Sequence, residues 1–575
     1  MGSETSATFG GIDLTFFLGY MVIVMAIGFF VGRRERTTVA DYFRAGNRLP
    51  WYAIGFSIIA AGISSEQFVG EMGYAYKLGM PVVNWEWLIF PALSILLWVF
   101  IPLYFRNRIT TMPEYLEGRY GPKARTLYAC LIVASYVFVN FALVFYTGGF
   151  ALNELCGWNK IAAVWILAIT TGAYTIYGGL TSVAWTDFFQ CALLLGGGIY
   201  IFFAGMARIG WDFAAVIGTG QHAHLIAPAN HEVPWTALII LALSTNVWYY
   251  ATDQFINQRC LGAKNEWHAK AGVLLAGGLQ LILPLATCFP GMIYAVINPN
   301  LVDSDAAYPS VVKAVIPIGL RGLVAAAVIG AIMSTISGLV NSTSTMVTLD
   351  IFRRWKGRTW SEPRLVRFGQ WAGGTALLIG ALFAPVVMKW DDLFRYCQDL
   401  WAPMAAPAVV VFLGGALWKR ATQRGAVACL WIAILTVPLM FAKQILADKG
   451  IHILPANLDN SMIFAGSVFL ASIAVLVALS VAKSLKQGAA YAAVACAGIL
   501  LLGVTSQEAV AVTVGVVMLL ALAAHLVMNR EVVGNMWDRS MLRLPKGETE
   551  AWYGSLKLWW AVVGLCFVGL YYYFW

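Results

Sequence analysis

The residues of this chain whose types and spacing could do chemistry are polar side chains set in the middle of long apolar runs. One cluster is AAGISSEQ, from Ala60 to Gln67, and another is STNVWYYATDQ, from Ser244 to Gln254. A small-residue break such as Ala60-Ala61-Gly62-Ile63 frees backbone carbonyls. Carbonyls joined by Ser or Thr hydroxyls are ligands that a desolvated Na⁺ accepts at low charge cost. The hydroxyls of Ser334 and Thr335, in a later apolar run, could face such a break. A plainer alternative stands beside this one, because Ser and Thr in mid-helix commonly bond back to their own helix or pack against a neighbour. Gln67, Glu86, Asn246 and Gln398 offer amides and a carboxylate in similar settings. Sugar hydroxyls donate and accept, so such groups are their natural partners. Pairing across a helix bundle explains any one of the four equally well.

Other candidates carry less. Asp187, in Trp185-Thr186-Asp187, stands at the start of an apolar run, where a carboxylate caps a helix favourably. His222, His224 and His231 share one loop without Cys or carboxylate support, so solvated loop residues are expected there rather than a metal site. The nine cysteines are Cys130, Cys156, Cys191, Cys260, Cys288, Cys397, Cys429, Cys496 and Cys566. They form no CxxC pair and no metal spacing, and read as packed thiols. No nucleophile–base pair or metal cluster appears, which argues against an enzyme.

The elements that must position these groups are membrane helices. Of 575 residues, 60% are hydrophobic and 12% charged, against about 45–50% and about 25% in soluble globular chains. Disorder, a collagen-like repeat and a disulfide-stapled scaffold are excluded as well. Runs of about 20 apolar residues, each enough for a spanning helix, number about sixteen between 12–32 and 556–575; the short pair around 488–528 makes 14 or 15 possible. The first run ends in Gly32-Arg33-Arg34, the reverse of a signal peptide's polarity, so it is expected to remain as a helix.

Alternating the spans with the N-terminus outside puts roughly 28 of the 38 Lys and Arg residues in inside loops, the bias that the positive-inside rule requires. The net charge of +9 therefore sets topology in a lipid bilayer and implies no nucleic acid. Each polar-interrupted span is the first of a set of five, over 50–208 and 233–417. Five is odd, so the second set inserts with the opposite orientation, as in an inverted-topology repeat whose broken helices carry substrate and ions. Segment 1–49 is then an additional N-terminal helix with its inside loop, and 418–575 supplies peripheral helices. No segment is long enough for a separate signalling domain, which argues against a membrane sensor.

Four longer motifs carry a resemblance: TMPEYLEGRYG (Thr111–Gly121), YGGLTSVAWTDFFQ (Tyr177–Gln190), DQFINQRCLGAKN (Asp253–Asn265) and AIMSTISGLVNSTSTMVTLDIF (Ala331–Phe352). In this order they resemble the solute:sodium symporter family, most nearly its sodium/glucose cotransporter branch. The match runs from about residue 12 to FLGGALWKR (Phe412–Arg420) and more loosely beyond. The resemblance implies an all-α polytopic membrane protein with the LeuT-type fold, five plus five inverted helices and extra ones at both ends, 14–16 in all.

In function, the resemblance implies a Na⁺-coupled carrier in the plasma (inner) membrane that imports a small solute by alternating access. It assigns sodium ligation to the carbonyls of Ala60, Ile63 and Ala331 and the hydroxyls of Ser334 and Thr335. Asp187 matches a position on the inward sodium exit route, a role that stands beside the structural one. Gln67, Glu86, Asn246 and Gln398 match sugar ligands, Tyr249 an aromatic inner gate, and Trp85 and Phe394 an outer lid. Three positions depart from the pattern: Gln280 stands where such sugar transporters carry a lysine, Ile89 replaces a hydroxyl residue, and Glu71 occupies a lid position that is usually apolar. Losing a cation and gaining an anion disfavours a carboxylate solute. A neutral hexose or polyol fits, with another small solute, an amino sugar, an organic acid or an amino acid, as the alternative.

Overall fold

A chain segment surrounded by lipid must satisfy every backbone group within itself, which leaves the helix as the choice for isolated spans. The computed structural model describes residues 10–33, 37–63, 66–317, 319–387, 393–447, 449–528, 536–545 and 554–575. Apart from one parallel bridge between Leu49 and Ala263, these residues form helices, turns and loops. Among the described residues eleven helices are long and apolar enough to cross a membrane, or twelve if the pair Glu266–Ile282 and Pro284–Ile297, bent by 44°, counts as one. The bend falls where Pro284 has no N–H to donate.

The sixteen apolar runs and these eleven or twelve helices differ in continuity. Trp51–Gly62 is short because its span breaks and resumes as Glu66–Glu71 and Met72–Leu78. The run after 233 begins as Trp235–Ile240 and continues through turns of the wider π type, Leu241–Thr245 and Trp248–Thr252. Lys160–Arg208 unites two runs in 49 residues, about 74 Å if straight, more than twice the ~30 Å hydrocarbon core. Gly179 divides it, with φ 60° and ψ −154°. A Cβ there would also lie 2.4 Å from the Tyr42 carbonyl oxygen, so the position excludes side chains on two counts.

Burial separates a centre from a rim. In the most apolar 18-residue stretch of Arg321–Trp355, 94% of the residues are buried, and the helix packs against Gly11–Gly32, Trp51–Gly62, Lys160–Arg208 and Glu362–Val387. In Leu556–Tyr573 most apolar side chains face outward, while Leu556, Val563 and Phe567 are buried. Small residues allow close crossings, since lipid gives helices little hydrophobic reason to associate. At one such crossing a Cβ on Gly32 would lie 2.5 Å from Gly178 Cα.

Candidate functional site

Trp51–Gly62 starts after Pro50 and ends at Ile63, whose backbone is extended at φ −97°, ψ 109°. Ending a helix strips its last carbonyls of their i+4 donors. Here the Ile59 oxygen accepts from Ile63 N at 2.9 Å, and the Gly62 oxygen from Gln67 Nε2 at 2.9 Å. The donors that a continuous helix would offer Ala60 and Ala61 belong to Ser64 and Ser65, outside the described residues. Arg321–Met346 packs against this helix and carries Ala331, Ser334 and Thr335, all buried. Thr335 Oγ1 donates to the Ala331 carbonyl at 3.2 Å, the back-bond of the plainer alternative, and keeps lone pairs that a cation can use. Ser334 instead turns to Asp187 Oδ1 at 2.6 Å.

Asp187 is wholly buried rather than a cap at a surface. Its Oδ2 accepts from Ser57 Oγ at 2.5 Å and pairs with Arg259 Nη2 at 3.0 Å. Ser57 lies three residues before Ala60, so one carboxylate ties both proposed sodium-binding helices together. Arg259 also donates through Nε to Ser57 Oγ at 2.8 Å and through Nη1 to the Phe255 carbonyl. Its guanidinium lies 4.9 Å from the Phe255 ring. Arg259 is inside the motif DQFINQRCLGAKN, and the alternation of spans puts it at the start of an inside loop, 259–270; the structure instead buries it in the helix Gln254–Leu261. The available signal was a cation in an apolar setting, which demands a buried partner.

Above this network a cavity of about 60 Å³ is lined by Gln67 and Glu71 from beyond the break, Trp85, Glu86 and Ile89, and Asn246 and Tyr249 from the second polar stretch. Gln398 and Trp401 close it. Six of the expected solute and gate residues therefore surround one space together with Gln398, while Gln280 stands behind, donating through Nε2 to Glu86 Oε2. The Phe394 side chain lies outside the described residues. Trp401 and Cys288 were not anticipated. Trp401 stands 6.3 Å from the Tyr249 ring, and Cys288 Sγ donates to Glu71 Oε1 at 3.0 Å.

Such a volume holds a few waters. Several polar side chains meanwhile serve the protein: Gln67 on Gly62, Gln280 on Glu86, and Asn246 Nδ2 on the Leu88 carbonyl at 3.0 Å. A hexose would have to exchange these bonds for its own hydroxyls and spread the walls. Gln398 Oε1 is buried without a hydrogen-bond partner among the described residues, an acceptor whose desolvation costs about 1–3 kcal/mol until a donor arrives. No cationic side chain lines the cavity among the described residues.

The second polar stretch behaves differently. Ser244 to Thr252 stays helical, and the break comes only at Asp253, with φ −77° and ψ 138°. Asp253 then caps Gln254–Leu261, accepting from Phe255 N at 3.2 Å and from the Tyr136 hydroxyl. The carbonyls before the break are occupied. Asn257 Nδ2 donates to Tyr250 at 3.1 Å, the Tyr104 hydroxyl to Ala251 at 2.9 Å, and the Tyr128 hydroxyl to Thr252 at 3.1 Å.

Comparison with known proteins agrees with this arrangement. Residues 42–433 match the family model of the sodium:solute symporter family. The sodium/glucose cotransporter of Vibrio parahaemolyticus is 33% identical over 448 residues, 72% of this chain and 82% of that protein. The sodium/myo-inositol cotransporter of Mus musculus is 32% identical over 456 residues, 71% of this chain, and this chain covers 63% of that relative's length. A solved structure described as the substrate-bound outward-open state of a Na⁺-coupled sialic acid symporter matches at a TM-score of 0.64 and 22% identity, covering 75% of this chain and 96% of that one. At that identity the likeness speaks for the fold, which is the LeuT-type one. A match extending over more than half of the chain is decisive: the protein belongs to the sodium:solute symporter family.

Proposed function

We propose that this chain couples inward movement of Na⁺ to import of a neutral sugar or polyol by alternating access. The observation that carries this reading is the cavity beside the first helix break, where Gln67, Glu86, Asn246 and Gln398 converge without a lining cation among the described residues. That set suits hydroxyl groups and repels carboxylates. Sodium is held by the Ala60, Ile63 and Ala331 carbonyls with the Ser334 and Thr335 hydroxyls, and leaves inward past Asp187. Glu86 and Gln280 act as one hydrogen-bonded unit on the solute, Tyr249 gates the inner side, and Trp85, Glu71 and Phe394 form the outer lid. The names of the relatives, a sodium/glucose and a sodium/myo-inositol cotransporter, support the same solute class.

The moving parts are two five-helix repeats, 50–208 and 233–417, flanked by 1–49 and 418–575. The N-terminus faces outward across a plasma (inner) membrane, which leaves the arginine-rich loops inside. One charge crossing 100 mV is worth about 2.3 kcal/mol, and a tenfold Na⁺ gradient adds about 1.4 kcal/mol, so one Na⁺ sustains a roughly 500-fold solute gradient.

A second reading, an amino sugar, is favoured by Glu71 and Glu86, two buried carboxyl groups in mutual contact at the cavity wall. Purified protein in liposomes, given radiolabelled glucose, myo-inositol, glucosamine and lactate under a Na⁺ gradient, tests both. Saturable, Na⁺-dependent uptake of glucose or inositol supports the first reading, and uptake of glucosamine alone replaces it with the second. Uptake of lactate alone contradicts both.

A further inference from the structure

Away from the solute path, arginines crowd a recess of about 330 Å³ whose lining includes Glu114, Arg125, Arg353, Arg354 and Arg358. Four elements build it: the short helix Val39–Arg44, the helix Met112–Tyr120, the start of Pro122–Ser135, which carries Arg125, and the end of the most deeply buried span, Arg321–Trp355. Some of its charge is already engaged. Arg125 Nε donates to Asp350 Oδ1 at 2.7 Å and its Nη1 pairs with Glu117, while Glu114 Oε2 accepts from Thr110 N at 2.7 Å. Arg354 meets Glu117 through Nη2, but its Nη1 is buried without a partner. Arg353 and Arg358 make no ion pair or hydrogen bond among the described residues. Glu362, the next carboxylate along the chain, accepts from Val39 N at 3.1 Å.

A recess with forked donors left over and its lining carboxylate occupied is built for an anion with several oxygens, which a guanidinium grips in bidentate fashion. The surroundings point to its source. Trp355 is 77% exposed and Trp360 37% exposed, one on each side of Arg358. Exposed tryptophans mark the level of lipid headgroups, where basic recesses between helices recognise anionic lipids. We propose that this recess binds the phosphoryl group of an anionic phospholipid through Arg353, Arg354 and Arg358, joining the buried helix to the two short helices beside it. The site is independent of which solute the cavity carries.

The test measures binding of phosphatidylglycerol and phosphatidylcholine to the full chain in detergent by native mass spectrometry. Wild type is compared with R353Q/R358Q and with K483Q/K486Q, a pair of exposed lysines at the start of the helix Leu485–Thr505 and the bend before it. Two arginines at about 1 kcal/mol each predict roughly 30-fold weaker phosphatidylglycerol binding in R353Q/R358Q. K483Q/K486Q is expected to bind as wild type does, and phosphatidylcholine to bind weakly to all three. Equal weakening in both double variants would reduce the effect to general surface charge and overturn the site. Unchanged binding in R353Q/R358Q would do the same, and displacement by millimolar inorganic phosphate would overturn the lipid as its occupant.

Discussion

The two helix breaks use the same device to opposite ends. At Asp253 the Tyr250, Ala251 and Thr252 carbonyls accept from Asn257, Tyr104 and Tyr128, so this break is sealed by protein donors. At Gly62–Ile63 the Gly62 carbonyl takes one glutamine side chain, and the helix packed alongside carries Ser334, bonded to Asp187, and Thr335, bonded to Ala331. A backbone break in lipid must be satisfied somehow. Protein donors make a joint; the first break is where we propose the cation seat. Arg259 links the two, since it sits on the helix that begins at the sealed break and pairs with the carboxylate that braces the other.

That link is where the comparison breaks most severely. Arg259→Ala leaves Asp187 buried without a cation, and a loss of about 3–5 kcal/mol is expected. Thermal unfolding of purified protein checks it, and a change under about 1 kcal/mol would mean that the pair is not buried as described. At the first break, Ser334→Ala combined with Thr335→Ala removes two of the proposed cation contacts. At about 1.5 kcal/mol each, the Na⁺ concentration for half-maximal uptake rises roughly 100-fold or more. Uptake with unchanged sodium dependence would remove both hydroxyls from the site.

At the sealed break, Tyr128→Phe leaves the Thr252 carbonyl without its side-chain donor and costs about 1–3 kcal/mol of stability, with sodium dependence intact. A shift in sodium dependence alone would show that the second break also serves the ion. The smallest effect is expected away from both. Asn265 Oδ1 accepts from His268 N at 2.9 Å at the head of Glu266–Ile282, so Asn265→Ala costs about 1 kcal/mol in unfolding and leaves transport unchanged.

The sequence made the cavity legible because amides and carboxylates are conspicuous at membrane depth. Gln67, Glu86, Asn246 and Gln398 do converge. It was less informative about the second break. Polarity begins at Ser244, but π-type turns keep the backbone bonded to Thr252, and the chain breaks only where Asp253 can cap the next helix. Trp401 and Cys288 carried no signal, since both types are ordinary packing residues in apolar spans. Centre and rim were also indistinguishable. The most apolar stretch of Arg321–Trp355 is almost wholly buried and most of Leu556–Tyr573 is exposed, yet lipid and protein interior ask for similar side chains, so apolarity cannot tell them apart. Arg259 was readable in principle, and a buried cation merits a search for its carboxylate before any other residue in its motif.

The most direct test of the proposed sodium seat at the first break is equilibrium binding of radioactive sodium to purified wild type, Thr335→Ala and Tyr128→Phe. With Thr335→Ala affinity is expected to fall roughly tenfold or more, while Tyr128→Phe, despite its lower stability, binds as wild type does. Wild-type affinity in Thr335→Ala, or an equal loss in Tyr128→Phe, would contradict a sodium seat at the first break.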